Sequence, residues 1–322
     1  ASAGVNSQQI YYTALSVSGF SGETTRYTGL LNAYLWQPWT NWEWSAPNRY
    51  LTAQIGLHSS IYTADDAFDT RDVSLEPRAS ITWRANNRQR LTLAYGFHSQ
   101  LNPLWLEADN RVGSGDPYPN RGSGLVRSRQ LGLRHTWQWR DAWALKTELF
   151  WQRMSNLPVS TSDRTFSLFN ITEFAALNTL QTTGIAENKG LEINVEHYLS
   201  GGWFLVANTT LFDSRYQGDD LRWRASRWDL GHILNLTMGR EWQRELQTAG
   251  KVKAFGINGR ATLTGGYRAM PVDLSASRQA GETRFDTANG WSEQLPGYFR
   301  LDLRVYWKRS LGNRRNSTFA MD

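Results

Sequence analysis

Residues 300–307 read RLDLRVYW, and this strict alternation limits what the chain can become more than any other feature. Arg300, Asp302 and Arg304 alternate with Leu301, Leu303 and Val305, and the run closes on Tyr306 and Trp307. Side chains on a β-strand point to opposite faces in turn, so the segment has one apolar face and one charged face. Two settings use such a strand. In a soluble sheet the apolar face covers a core, whereas in a membrane barrel it meets lipid and the charged face lines a wet interior.

The pattern recurs along the chain. LTLAYGF (91–97) sets Leu91, Leu93, Tyr95 and Phe97 against Thr92, Ala94 and Gly96. LGLRHTWQW (131–139) sets Leu131, Leu133, Trp137 and Trp139 against Arg134, Thr136 and Gln138. WALKTELFW (143–151) sets its Trp and Leu residues against Lys146 and Glu148, and LEINVE (191–196) sets Leu191, Ile193 and Val195 against Glu192, Asn194 and Glu196. Together with ILNLTMG (233–239) and less regular runs near 10–18, 27–37, 50–62, 74–84, 203–213 and 252–267, this predicts about twelve strands. Each is near the roughly 9–11 residues that a tilted membrane strand needs, and a further strand begins near Ser317. No segment has convincing helical periodicity.

Composition decides between the two settings. The 322 residues include 16 Trp, 13 Tyr and 13 Phe, and membrane barrels collect such rings in girdles at both interfaces. Mean hydropathy is −0.54, and no apolar stretch approaches the roughly 18 residues of a membrane helix. A barrel escapes that test because half of each strand is polar. There is no cysteine, which excludes disulfides and thiolate metal sites. A net charge of +6 without a long basic block argues only weakly for a nucleic-acid partner, and none is expected. The N-terminal ASAGVNSQQ has no signal-peptide pattern, so either a leader has been removed or the chain is part of something longer.

Connectors alternate in length. Short turns at NNRQ (86–89), RDA (140–142), SGG (200–202) and LGNRRN (311–316) are interleaved with long polar loops near 64–73, 102–125, 156–183, 214–227 and 268–295. Up-and-down membrane barrels have this asymmetry, with tight periplasmic turns and long outer loops. Trp36, Trp39, Trp42, Trp44, Trp83, Trp137, Trp139, Trp143, Trp203, Trp242 and Trp307 fall in or near the short-turn ends, as an interfacial belt requires. The expected fold is therefore all-β, an antiparallel up-and-down transmembrane β-barrel in contact with outer-membrane lipids. Arg134, Lys146, Glu148, Glu192, Glu196, Arg300, Asp302 and Arg304 are expected to line its interior.

Chemistry-bearing motifs are sparse. His58, His98, His135, His197 and His232 are scattered without ligand spacing, and pore-lining is their expected role; only His58, His98 and His232 could converge inside a barrel. Asp65, Asp66, Asp69 and Asp72 lack the spacing and Gly of a calcium loop, so a solvated loop beside Arg71 is the better reading. GSGLVR (122–127) has no following helix to make a phosphate loop, and no nucleophile elbow or triad stands out. Glu192 and Glu196 share a strand face, an arrangement that charged pores show without catalysis. The expectation is a non-enzyme with no cofactor and no metal. Two loops combine aromatic planes with arginines suited to a ligand. One holds Trp105, Tyr118 and Arg121, and the other holds Arg222, Trp223, Arg224 and Arg227.

Four stretches resemble the barrel of TonB-dependent outer-membrane receptors, particularly those that carry a carboxypeptidase-regulatory-like domain. They are SLEPRASITWRANNRQRLTLAYGFHSQ (74–100), NKGLEINVEHYLSGGWFLVANTTLFDSRY (188–216), GHILNLTMGREW (231–242) and GYFRLDLRVYWKR (297–309). The resemblance implies a barrel of about 22 strands around a plug, of which this chain would supply about 12–13. It also implies active uptake of a siderophore, glycan, peptide or vitamin, driven by an inner-membrane energy-coupling complex acting on the plug. The polar wall would then hold the plug. Residues 1–322 are expected to be one partial barrel domain, with no plug domain in this chain and an end inside what resembles the penultimate strand at STFAMD. A passive pore or adhesin and an outer-membrane hydrolase are the alternatives. The sequence leaves open whether a surface lipoprotein caps the loops.

Overall fold

A computed structural model describes all residues except 14–15, 19–23, 27–29, 65–70, 104–105, 107–119, 121, 164, 172–178, 246–251 and 311–315. The strands, in chain order, are β1 (Ser2–Thr13), the short pair β2 (Ser16–Ser18) and β3 (Thr24–Arg26), β4 (Leu30–Ser45), β5 (Leu51–Ala64) and β6 (Arg71–Asn86). There follow β7 (Gln89–Leu101), β8 (Leu125–Arg140), β9 (Trp143–Ser160), β10 (Leu180–Ser200), β11 (Trp203–Gln217) and β12 (Trp223–Ala225). The chain ends with β13 (His232–Glu245), β14 (Val252–Thr264), β15 (Arg268–Ala269), β16 (Glu293–Gln294), β17 (Tyr298–Ser310) and β18 (Asn316–Met321). The long strands form one antiparallel meander in the order β1-β4-β5-β6-β7-β8-β9-β10-β11-β13-β14-β17-β18, with β12 a branch on β11. β1 and β18 are its edges.

Alternation survives into the register. Leu301 lies opposite Ala261, which lies opposite Leu236; Leu303 lies opposite Gly259, which lies opposite Met238. The intervening rows join Asp302 to Arg260 and Thr237, and Arg300 to Thr262 and Asn235. Since a slip of one residue would exchange the faces, this agreement across strands fixes the register. Leu301, Leu303, Phe299 and Trp307 are all more than half exposed, on a face that in water would be an apolar patch.

The turns follow from local chemistry. At 200–203, Gly201 and Gly202 take φ of 60° and 81°, the left-handed pair that a two-residue hairpin turn demands. Asn48 and Asn86 accept from the backbone N–H two residues on, at 3.1 and 2.8 Å, and so close their own turns.

Several expectations need correction. The first strand is Ser2–Thr13, not 10–18, and β4 extends to Ser45. Strands β1 to β17 of the meander run from 12 residues (β1) to 21 (β10), longer than a membrane crossing requires, because the excess carries the loops past the apolar band. A helix, α1 (Leu274–Ala280), is described as well, capped by the Asp273 carboxylate and by Gly281 at φ 69°. Its period was invisible because no residue in it is buried.

The tryptophans divide by face. Trp42, Trp44, Trp83, Trp137, Trp242 and Trp307 are exposed near short-turn ends, on the apolar face. Trp139 stacks on Trp143 at 5.3 Å, and His197 lies flat on Trp203 at 3.8 Å. Trp39 departs from the belt, standing opposite His58 on the polar face, and Trp36 sits mid-strand. The histidines divide likewise. His58 and His98 lie on the polar face, whereas His135, His197 and His232 stand opposite Leu91, Val206's neighbour Leu205, and Leu211 on the apolar face. Pore-lining is therefore wrong for those three, and His232 cannot join the other two.

Candidate functional site

The polar face is concave over β4 to β9, where a groove crosses six neighbouring strands and Asn41, Gln54, Arg78, Ser80, Gln130 and Gln152 contribute to its lining. This part of the sheet thus curls toward its charged side, as a barrel wall around a wet interior does.

All eight residues expected inside lie on this face. Arg134 grips Glu148 at 2.6 Å, Lys146 reaches Glu196 at 2.7 Å, and Arg300 bonds Asp302 at 2.8 Å. Arg304 lies 3.5 Å from Asp322. Glu192 stands opposite Glu148 and Thr210 and has no ion pair among the described residues. The densest knot was not foreseen. Glu76 has only 1 % of its side chain exposed and accepts from Ser60 at 2.9 Å, Arg78 at 2.8 Å, His58 Nδ1 at 3.0 Å, and Ser99. A buried carboxylate needs such saturation, since leaving its oxygens unpaired would be costly. The signal was available in EPR at 76–78, where Glu76 and Arg78 share one strand face.

Of the two proposed ligand loops, Trp105, Tyr118 and Arg121 lie outside the described residues. The acidic loop falls largely outside them too, although Asp72 is described and accepts from Leu125 N at 2.8 Å and Arg127 at 3.1 Å. Among the described residues no cluster of His, Asp and Glu is arranged to hold a metal.

The second loop is described, and it is built into a layer. Tyr216, fully buried at the long-loop end of β11, donates its hydroxyl to Thr165 O at 3.2 Å. It packs with Leu157, Ala186, Phe169 and Trp291. Trp228 donates Nε1 to Phe169 O at 2.8 Å, and Asn170 Oδ1 accepts from Arg227 N at 2.9 Å. The Arg227 guanidinium lies 5.6 Å from the Trp228 ring and 5.7 Å from the Trp291 ring, within cation–π range of both. Arg222 and Trp223 are exposed.

Arg224 plays a different part. Its side chain is 7 % exposed, holds Asp220 at 2.6 and 2.9 Å, and donates Nε to Ala288 O at 3.0 Å. It ties two loops together and is not free for a solute. The Arg224 guanidinium also holds the Asp220 carboxyl below its ordinary value. A depressed carboxyl stabilises the fold above its unfolded pKa, roughly 3.9, and that contribution is lost as pH falls through the folded value. Asp220→Asn is therefore expected to loosen this loop at pH 7, and the difference from the native protein should vanish as pH falls through the lowered folded value and Asp220 itself becomes neutral. Amide exchange of residues 218–231, compared between variant and native protein across that descent, reads this directly.

Comparison with known proteins bears on the whole chain. Among curated proteins, none matches at a significant level. Of 43 matching chains of solved structures, one is an iron transporter, FrpB, from Neisseria meningitidis, with TM-score 0.59 and 13% identity over 90% of this chain and 41% of that one. The ferric-catecholate import receptor Fiu from K12 E. coli matches with TM-score 0.57 and 12% identity, over 91% and 42%. The ferric yersiniabactin uptake receptor FyuA from Yersinia pestis matches with TM-score 0.56 and 12% identity, over 91% and 44%. The chain thus spans about two-fifths of the length of these structures and shares their fold. The profile of the TonB-dependent receptor-like β-barrel matches residues 3–320, nearly the full chain. This chain belongs to the TonB-dependent receptor β-barrel family.

Proposed function

We propose that the chain is barrel wall from an outer-membrane transporter that takes up a scarce nutrient actively. The observation that carries this is the ion-paired polar face running across a barrel-family meander, concave over β4 to β9, a surface suited to holding a plug. Arg134, Lys146, Glu148, Glu192, Glu196, Arg300, Asp302 and Arg304 would meet that plug through hydrogen bonds and ion pairs. An inner-membrane complex would pull on it, and Arg222, Trp223 and Arg227 would touch the incoming solute. Because solved relatives are described as iron or ferric-chelate receptors, a ferric siderophore ranks ahead of a glycan, a peptide or a vitamin.

Cells expressing the full-length receptor are expected to accumulate one member of a labelled panel: ferric siderophore, oligosaccharide, peptide or vitamin B12. A protonophore should abolish that accumulation. Uptake indifferent to the protonophore would instead favour a passive pore, and no uptake of any member would remove the transport reading.

A further inference from the structure

A row of cations caps the apolar face, and we infer that the short-turn ends of β13, β14 and β17 bind the phosphate headgroups of anionic phospholipid. The site lies on the outer face and is independent of the solute the receptor carries.

The register builds the row. Arg244 lies opposite Lys253, and Lys253 lies opposite Arg309. Each cation stands two residues beyond an aromatic of the same face, since Trp242 lies opposite Phe255 and Phe255 opposite Trp307. All three rings are exposed. Arg240, on the same face, lays its guanidinium 5.1 Å from the centroid of the Trp242 ring.

Like charges directly across strands repel. Arg244, Lys253 and Arg309 have no ion pair among the described residues, and the flanking turns, 246–251 and 311–315, contain no Asp or Glu. The remaining neighbour of Arg309, Ser317 on β18, is neutral. The acidic residues of β13 belong to the alternate rows. Glu241 registers with Gly256, which lies opposite Tyr306, and accepts from Lys308 at 2.9 Å; Glu245 registers with Val252. Cations on the polar face therefore have acids beside them, whereas this outer row awaits an anion from elsewhere.

Depth selects that anion. Six residues separate Leu303, near the middle of β17, from Arg309. At about 3.3 Å per residue and a tilt of roughly 35–45°, they cover about 15 Å of depth, against about 12 Å for half the apolar band. The cations emerge just past the hydrocarbon, at the level of lipid phosphates, with the ring row behind them at the interface. A phosphate diester between neighbouring strands replaces repulsion with charge-assisted hydrogen bonds. A zwitterionic lipid brings an ammonium that the row repels, so a lipid of net negative charge is preferred. At other short turns the same face ends in rings, Trp44, Trp83, Trp143 and Trp203, and Arg88 is paired with Asp141.

Native mass spectrometry of the full-length receptor, released from micelles with equal amounts of phosphatidylglycerol and phosphatidylcholine, reads the preference. Phosphatidylglycerol is expected to be retained roughly fivefold over phosphatidylcholine, about the effect of one cation at an anionic surface, because other sectors hold both lipids alike. Replacing Arg244, Lys253 and Arg309 together by Gln should bring the two lipids to near parity. Arg244→Lys with Arg309→Lys keeps the charge and should keep the preference. Arg84→Gln, Arg260→Gln and Lys308→Gln together remove the same charge from the polar face and should leave the preference intact. Heat-modifiable migration selects the folded fraction of every variant. Equal retention by the parent receptor, or a preference that survives loss of the outer row, would overturn the site. An equal fall in the polar-face variant would do the same, since net charge alone would then be acting. Displacement of the lipid by glycerol 3-phosphate at matched concentration would overturn it too, by making a soluble phosphate ester the occupant.

Discussion

Leu303→Arg is expected to destabilise the assembled barrel by about 2–4 kcal/mol, the cost of a lipid-facing arginine near the bilayer midplane. Arg304→Leu, one residue on, should change stability by less than about 1 kcal/mol. Leu303 lies near the middle of β17, is 61% exposed, and has Gly259 and then Met238 across the sheet. No polar neighbour stands on that row to receive a guanidinium. Arg304 lies on the opposite face beside Asn258, and its ion pair to Asp322 is long at 3.5 Å and exposed at both ends. Removing an exposed pair of that kind costs little. Urea titration of the full-length receptor in lipid vesicles, followed by its heat-modifiable migration, measures both changes. Equal tolerance at the two positions would mean that the faces are assigned the wrong way round.

The sheet was legible because its rule is local. A period of two is written into each strand, and the residues read as facing together at 91–97, 131–139, 143–151, 191–196 and 233–239 occupy common rows in the register. Boundaries were less legible, because a strand that continues beyond the apolar band loses its alternation while keeping its backbone ladder. Hence β9 and β10 run to 18 and 21 residues, well past the runs that announced them.

The loop layer could not be read in the same way. Its bonds join residues far apart in sequence, Tyr216 to Thr165 and Trp228 to Phe169, and no periodicity encodes such pairs. An arginine beside tryptophans looks alike whether it awaits a solute or anchors a loop, which is why Arg224 was placed with Arg227. The spacing of Asp220 and Arg224, four residues apart, was the available clue. His197 misled for a related reason: polarity suggested the lumen, whereas stacking on Trp203 lets its ring serve as one more plane in the interfacial belt.

Asp229→Ala should open the loop layer while leaving the strands in place. Asp229 is the point where β11, the loop before β13, and β15 meet. Its Oδ1 accepts from Ser214 N at 3.1 Å and its Oδ2 from Arg268 Nε at 2.9 Å. The Asp229 side chain is 8% exposed and that of Arg268 22%. Alanine would strand both a buried N–H and a poorly hydrated guanidinium, and breaking a buried pair from one side typically costs 3–5 kcal/mol. The partial exposure of Arg268 places the loss near the lower end, about 3 kcal/mol, or roughly a 150-fold rise in the open population. Trypsin cleavage of the full-length receptor at Arg227, Arg268 and Arg284 should accelerate accordingly, while amide exchange along β10 and β13 stays unchanged. Removing the stranded charge as well, in Asp229→Ala with Arg268→Met, should recover much of the loss, because the penalty lies in the unpaired ion more than in the missing bridge. Unaltered cleavage in the single variant would show that this junction does not hold the loops down.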